Sequence, residues 1–461
     1  MPASATRSRI ALIGCCLVQF VLNLNGSIVN SALPAIQHDF SVGLTTLQWV
    51  VSAYIVTLAG LLTALGSLSD RVGRRRTLLA GAAVLAAGSI LCALSGDALM
   101  LIAGRVVQAV GAAALSAAGL AAASGIYTDR KARGAAVAWW AGVGTVALVA
   151  GPALGGVIVG AAGWRAVFWL SVGLCAVAAV LIVTTLAESR ATAPGRFDVV
   201  GQVLVSTLLV AVSVALIEGP RQGWGSAIVV GAGAVAMIAL VALVLHVRRA
   251  ANPIIPPALF ANVPFVAASA SALLGFATAG AMFFALPLYL QSVRGLSPVD
   301  AAFTMLPLAG AALIAAIVSG WIVDRGRSRF DLVLAGCLLA LGALGIALGS
   351  GSLPTLIAAS VAFGAGYGLL GDPLSVSALS ALPEAEAGLA SALFSTGKQF
   401  GQLLGIALVG IVLGSAAGDL APHFERSGSE LWILLAVCGV GVAAVNLFVR
   451  PRHAAAGAAA S

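Results

Sequence analysis

The sequence predicts an all-α polytopic membrane protein with fourteen transmembrane helices, and three observations carry that prediction. Hydrophobic residues make up 61% of the 461 and charged residues 9%, with a mean hydropathy of +1.08, too little polar surface to cover an apolar core in water. Apolar runs of about 20 residues, the helical length that crosses a hydrocarbon layer of about 30 Å, recur along the whole chain. Lysine and arginine collect in alternate gaps between those runs, as they do in cytoplasmic loops.

The first span, residues 10–36, follows Arg7 and Arg9. Its opening, IALIGCCLVQFVLNL, imitates a secretory leader, but the apolar character continues and many spans follow, so it reads as a retained helix. Spans 47–68 and 77–96 flank a loop holding Arg71, Arg74, Arg75 and Arg76. Spans 99–124 and 134–160 are separated by Asp129, Arg130, Lys131 and Arg133, which shape an inner loop. Span 164–187 begins beside Arg165 and is followed by Arg190 and Arg196. Spans 198–217 and 226–247 enclose Arg221 and end at Arg248 and Arg249. Spans 262–290 and 301–323 enclose Arg294, and Arg325, Arg327 and Arg329 precede span 331–350. Spans 354–382, 393–417 and 430–449 complete the set, with Arg426 before the last and Arg450 and Arg452 after it. Glycine and proline inside spans are tolerated where neighbouring groups satisfy the backbone.

With the N-terminus inside, eighteen basic residues fall on the cytoplasmic side and four, Arg165, Arg221, Arg294 and Arg426, fall outside. Arg105 and Lys398 lie within spans. The expected location is therefore the cytoplasmic membrane, with both termini in the cytoplasm. An omitted helix in the middle would invert the later loops and spoil the asymmetry.

The net charge of +8 does not argue for nucleic acid, because the arginines form short groups with no basic stripe or interleaved aromatics. The six cysteines, at 15, 16, 92, 175, 337 and 438, sit in apolar runs without metal or redox spacing. His38, His246, His423 and His453 are dispersed, and no HExxH, Gly-x-Ser-x-Gly or Walker motif occurs. No metal, cofactor or enzymatic reaction is expected. GAGAVA at 231 and GAGYG at 364 resemble nucleotide loops only superficially, since both lie inside spans where small residues serve helix packing.

LGSLSDRVGRRRTLLAG, residues 65–81, carries more than orientation. A positive-inside loop accounts for its arginines but not for its placed glycines and acid. Gly66 permits close helix approach, Gly73 a tight turn, and Asp70 accepts bonds from an arginine or a helix N-terminus. The spacing G-x-x-x-D-R-x-G-R-R, supplied by Gly66, Asp70, Arg71, Gly73, Arg74 and Arg75, resembles the signature loop of the major facilitator superfamily. LIAGRVVQAVGAA, residues 101–113, looks like that family's fourth-helix motif, and its Arg105 should face the protein interior or an aqueous cavity. GVGTVALVAGPALGG, residues 142–156, looks like the fifth-helix motif associated with antiporters, with Gly151, Pro152, Gly155 and Gly156 aligned. Small residues there let helices approach, and Pro152 removes a backbone bond, which suits a gate at a domain interface.

NGSIVNSALPAI from Asn25, GWRAVFWL from Gly163, IEGPRQGW from Ile217 and ALFSTGKQFGQLLGIAL from Ala392 narrow the resemblance to the fourteen-spanner drug:proton antiporter family. The resemblance covers nearly the full chain. It implies the major facilitator fold: a six-helix bundle in residues 1–190, an additional helix pair in 191–250, and a second six-helix bundle with a short cytoplasmic tail in 251–461. GWIVDRGRSR, with Asp324 and Arg325, looks like a degenerate second copy of the signature loop. The implied activity is export of a small amphipathic drug or secondary metabolite by alternating access, in exchange for protons. A monomer in the lipid bilayer would contain the whole pathway.

One departure bears on mechanism. The family commonly carries an aspartate where Asn25 stands, and an asparagine exchanges no proton at physiological pH, though it can bond a substrate or a neighbouring helix. The best replacement acid is Asp372 in GYGLLGDPLSVSAL, which is read as a coupling or substrate-binding residue, an internal polar brace, or a helix end near water. Pro373 beside it favours a bent backbone. Lys398 is expected at an interface or gate, paired with an acid or snorkelling. Arg105 and Asp372 are the expected central charges, with Asn23, Asn25, Asn30, Gln108 and Tyr54 as further coupling or cavity candidates. Gln19, Gln48 and Gln399 are secondary, and Trp139 and Trp140 line the cavity or pack. Each polar candidate can instead bond across helices. The neutral Asn25 leaves open a proton-independent transporter or another counter-ion, and a different class of reading is a non-transporting membrane sensor or interaction protein.

Overall fold

In lipid every backbone polar group must find its partner within the chain, which leaves helices or closed barrels, and apolar runs of about 20 residues suit helices. A computed structural model of the chain describes residues 5–190, 197–250, 253–256, 258–349, 352–379, 387–414 and 420–448. Arg196, Arg450, Arg452 and His453 lie outside the described residues. Among those described, fourteen helices are long and apolar enough to cross a membrane. They are α1 (Thr6–Phe40), α2 (Leu44–Val72), α3 (Arg74–Ala93), α4 (Ala98–Gly125), α5 (Arg130–Ala162), α6 (Arg165–Thr185), α7 (Val199–Gln222), α8 (Ala227–Arg249), α9 (Val263–Val293), α10 (Pro298–Asp324), α11 (Ser328–Gly349), α12 (Leu353–Ala378), α13 (Leu393–Leu413) and α14 (Ala421–Phe448).

Short polar residues in the gaps start several helices by accepting bonds from exposed N–H groups: Asp97 from Met100, Asp129 from Ala132, Asn262 from Phe265 and Ser297 from Asp300. Three helices depart from regular α geometry. The first tightens into a 3-10 turn at Ile28–Ala32, and α9 ends in a π turn at Tyr289–Val293. The twelfth stops at Gly368 and resumes at Gly371, just ahead of Pro373. Proline has no N–H to give the Leu369 carbonyl, and Ser319 Oγ lies 3.5 Å from that oxygen.

Helices α1–α6 and α9–α14 form two bundles with the same internal pairings. In the first, α1 packs on α5 and α6, α3 on α4 and α6, and α2 on α4. In the second, α9 packs on α13 and α14, α11 on α12 and α14, and α10 on α12. The pairings between bundles are also reciprocal, α2 against α13 and α5 against α10. The chain is thus a structural repeat, with α7 and α8 inserted between the copies. Those two pack on each other, and α7 also lies along α2 and α13. Asp198 ties the start of α7 to the end of α8, accepting from the N–H groups of Gly201 and Ile254 and bonding His246 at 2.8 Å.

Candidate functional site

The two bundles meet at the end remote from the basic loops. Gln48 of α2 donates to the Ile406 carbonyl of α13 at 2.6 Å, and Gln291 donates to the Ser31 carbonyl at 3.3 Å. Gly156 of α5 faces the Pro298 carbonyl and Ala302 of α10 so closely that a Cβ would lie 2.5 Å from that alanine's Cβ. The same stretch seats the 3-10 turn of α1, because Gly155 abuts the Ile28 carbonyl and Ser31 Oγ donates to the Pro152 carbonyl at 2.7 Å. Gly151 meets Ser27 in the same way. The four residues singled out in α5 therefore join α1 within one bundle and α10 of the other.

Below this junction, toward the basic loops, lies a cavity of about 400 Å³ between the bundles. The first bundle lines it with Gln19, Asn23, Tyr54, Trp140, Gly144 and Thr145, among others. The second contributes Phe276, Tyr367, Asp372, Ser375, Lys398, Gln399 and Gln402. Two of the lining residues are charged, Asp372 and Lys398, and both belong to the second bundle. Asp372 stands where α12 resumes after its break. The Lys398 ammonium rests over two aromatic rings, 5.5 Å from the centre of Phe276 and 5.3 Å from that of Phe394. Phe276 in turn meets Tyr367 edge-on at 6.1 Å.

Asn25, Gln108 and Arg105 do not line this cavity. Arg105 is wholly buried within the first bundle and spreads its donors over three helices. Nε donates to the Val50 carbonyl at 3.0 Å, Nη1 to Gln108 Oε1 at 2.8 Å, and Nη2 to the Asn25 carbonyl at 3.1 Å. Its guanidinium lies 4.4 Å over the Tyr54 ring. The Tyr54 hydroxyl donates to the Leu22 carbonyl at 3.0 Å. The Asn25 side chain uses both ends: Nδ2 donates to the Val21 carbonyl at 2.8 Å, while Oδ1 accepts from Ser171 at 3.0 Å and Gln108 at 3.2 Å. A carboxylate at this position would set an oxygen against the Val21 carbonyl, so the amide is what the network requires. Asn30 is buried in the 3-10 turn, outside the cavity lining, and Trp139 points outward.

The signature loop binds helix ends together inside the first bundle. Gly73 has a φ of +120°, and a Cβ there would lie 2.5 Å from Glu188 Oε1. Glu188 follows α6 and caps α3, accepting from the N–H groups of Arg75 at 3.0 Å and Arg76 at 3.2 Å. In return Arg75 donates to the Val183 carbonyl near the end of α6 at 2.6 Å. Arg74 donates to the Ala121 carbonyl of α4 at 3.2 Å and approaches Asp70 to 3.8 Å. Arg71 is exposed, and Gly66 lies in ordinary contact with Ala117. In the second copy, Asp324 and Arg325 are exposed, with Arg325 donating to the Trp321 carbonyl at 2.9 Å. The contact that matches Arg75 is made by Arg329, which donates to the carbonyls of Asn446 and Leu447 at the end of α14.

Sequence reasoning missed two acids. Glu188 was hidden because its partners are more than a hundred residues away. Asp331 sits just inside α11, where it reads as a loop flank, yet it is fully buried: Ser319 donates to Oδ2 at 2.5 Å and Oδ1 has no hydrogen-bond partner. Among the described residues no group of three or more His, Cys, Asp or Glu side chains is arranged to hold a metal ion.

Residues 15–406 match the sequence model of the Major Facilitator Superfamily. The chain is similar to the multidrug resistance protein Stp of Mycobacterium tuberculosis, with 32% identity covering 91% of this chain and 78% of that protein. It is similar to the tetracenomycin C resistance and export protein of Streptomyces glaucescens, with 34% identity over 91% and 79% of the two chains. The methylenomycin A resistance protein of Streptomyces coelicolor shares 33% identity over 95% and 92%.

Proposed function

Because the chain belongs to the major facilitator superfamily, and is therefore a multi-pass membrane transporter rather than an enzyme, we propose that it exports amphipathic drugs or secondary metabolites by proton antiport. Relatives named for multidrug resistance, for tetracenomycin C resistance and export, and for methylenomycin A resistance support the substrate side of this reading. The basic loops lie in the cytoplasm on the positive-inside argument, so the cavity of this conformation faces inward. Rocking of the two bundles about the cavity exposes it to each side in turn.

The proton side rests on one observation: among the described residues lining the cavity, Asp372 is the only carboxylate. Asn25 cannot take that role, being neutral and committed to Ser171, Gln108 and Val21. A substrate donor bonded to ionised Asp372 competes with a proton for the same oxygens, and that competition couples the two fluxes. Asn23 and Tyr54 contact substrate in this scheme, and Arg105, Gln108, Asn25 and Asn30 keep the first bundle rigid. Asp70, Arg71, Gly73, Arg74, Arg75, Asp324 and Arg325 hold helix ends while the bundles move.

The test is transport by the purified chain in liposomes under an imposed pH gradient. Wild type should move substrate against its own gradient and release protons inward. Asp372→Asn should lose gradient-driven flux by about tenfold or more while still binding substrate, as removal of a coupling acid requires. Substrate movement indifferent to the proton gradient would overturn antiport.

A further inference from the structure

The charges in the cavity say what kind of compound it takes, given the export reading above. The Lys398 ammonium has three donors and rests over the rings of Phe276 and Phe394, and among the described residues no carboxylate lies within 4.0 Å of it. Asp372 likewise makes no ion pair within that distance among the described residues, although both side chains border the same space. Among the described residues the facing wall of the first bundle carries no charge, only amides, two hydroxyls, aromatic rings and aliphatic side chains, and Gln19 Oε1 there is buried without a hydrogen-bond partner. The lining is therefore neutral overall, with one strong donor and one strong acceptor on the same wall beside an aromatic surface built from Phe276 and Tyr367.

A lipophilic cation entering this space gains Asp372 but meets Lys398, and a lipophilic anion meets the reverse. An uncharged molecule that donates to Asp372 and accepts from Lys398 satisfies both charges at once and leaves its ring to lie against Phe276. We propose that the cavity selects neutral aromatic compounds bearing a hydrogen-bond donor and an acceptor along one edge, the hydroxyketone arrangement, over lipophilic cations. Donation to Asp372 is strongest to its ionised form, so this substrate class also supplies the competition with protons on which antiport depends.

Two probes decide the matter: flavonol, a neutral fluorescent aromatic hydroxyketone, and tetraphenylphosphonium, a permanent cation without donors. Their binding to the purified full chain in lipid nanodiscs is measured together with their flux in liposomes. Flavonol should bind at least about tenfold more tightly than tetraphenylphosphonium, the difference a charge-assisted hydrogen bond provides. Its methyl ether, which keeps the ketone and lacks the donor, should bind wild type about tenfold more weakly than flavonol. Lys398→Met should weaken flavonol by a similar factor and strengthen tetraphenylphosphonium; the methyl ether carries the test should that variant not fold. Tighter binding of tetraphenylphosphonium than of flavonol, equal binding of flavonol and its ether, or unchanged flavonol affinity in folded Lys398→Met would overturn the proposal. If tetraphenylphosphonium is exported and flavonol is not, the export reading stands and this selectivity falls. Neither probe binding or moving would overturn both.

Discussion

Substituting Gly156 by alanine tests whether the junction of α5 with α10 sets the balance between the two faces of the transporter. The added Cβ would lie 2.5 Å from Ala302 Cβ and nearer still to the Pro298 carbonyl oxygen. Ordinary contact begins at 3.4 Å, so clearing Ala302 alone takes a separation of about 0.9 Å, and the backbone oxygen, which cannot rotate away, demands more. Overpacking of this kind costs about 1 to 3 kcal/mol, and it applies only where the remote ends are closed together. The closed-remote population should therefore fall by about 5- to 150-fold relative to the alternative. Spin labels on Lys131 and Arg327, exposed in the basic loops of the two bundles, report the change as a distance distribution by pulsed electron resonance. Gly156→Ala should shift that distribution toward shorter separations. Gly142→Ala, on the same helix with nothing within 4 Å of the added carbon, should leave it alone. An unaltered distribution in Gly156→Ala would refute the assignment of this contact as the junction.

Three further outcomes are expected. Arg105→Met leaves Gln108 Oε1 and two backbone carbonyls without their donor, and thermal unfolding of the purified protein should register a loss of about 3 kcal/mol or more; an unchanged melting temperature would count against the network. Glu188→Ala removes the cap of α3 and should cost about 1 kcal/mol in the same measurement, with protease cutting of the loop near Gly73 rising in parallel; equal cutting in both proteins would exclude the cap. Burial works to raise the Asp198 carboxyl, but the N–H groups of Gly201 and Ile254 and the His246 side chain outweigh it and hold the group below the usual carboxylate range. A depressed native value means the stabilisation is present above the unfolded value, near 3.8, and is lost as the pH falls through the native one. Wild type should accordingly lose stability on acidification below about pH 4 more steeply than Asp198→Asn, and parallel acid limbs would refute the linkage.

Fourteen spans were legible because hydropathy, span length and loop charge each constrain the chain independently, whereas the division into two bundles entered only as what the family resemblance implies. The α5 motif stood out through the family resemblance, and in the structure Gly151, Gly155 and Gly156 each meet a backbone or side chain that leaves no room for a Cβ, while the Pro152 carbonyl accepts from Ser31. The surroundings of Arg105 were not legible. A buried arginine in a sequence invites a search for an acid, yet here its bonded partners are carbonyl and amide oxygens on α1, α2 and α4. Side-chain amides and backbone groups are too common along a chain to announce such a role. Asp331 escaped because residues at span ends are assigned to water by default, whereas Ser319 of α10 reaches both its carboxylate and the Leu369 carbonyl at the break in α12. Glu188 escaped because capping across a bundle leaves no local pattern.

The inserted pair gives the two bundles different inertia. Trp49 of α2 donates to Glu218 near one end of α7 at 2.8 Å, and Ser206 near the other end donates to the Gly60 carbonyl at 2.7 Å. Against α13, by contrast, α7 presents packing. The two hydrogen bonds join the inserted pair to the first bundle, so in the rocking scheme proposed above those eight helices would move as one block against the six of the second bundle. Asp372 and Lys398 lie on the lighter block, so in that scheme the charged wall would be the one displaced past an uncharged one.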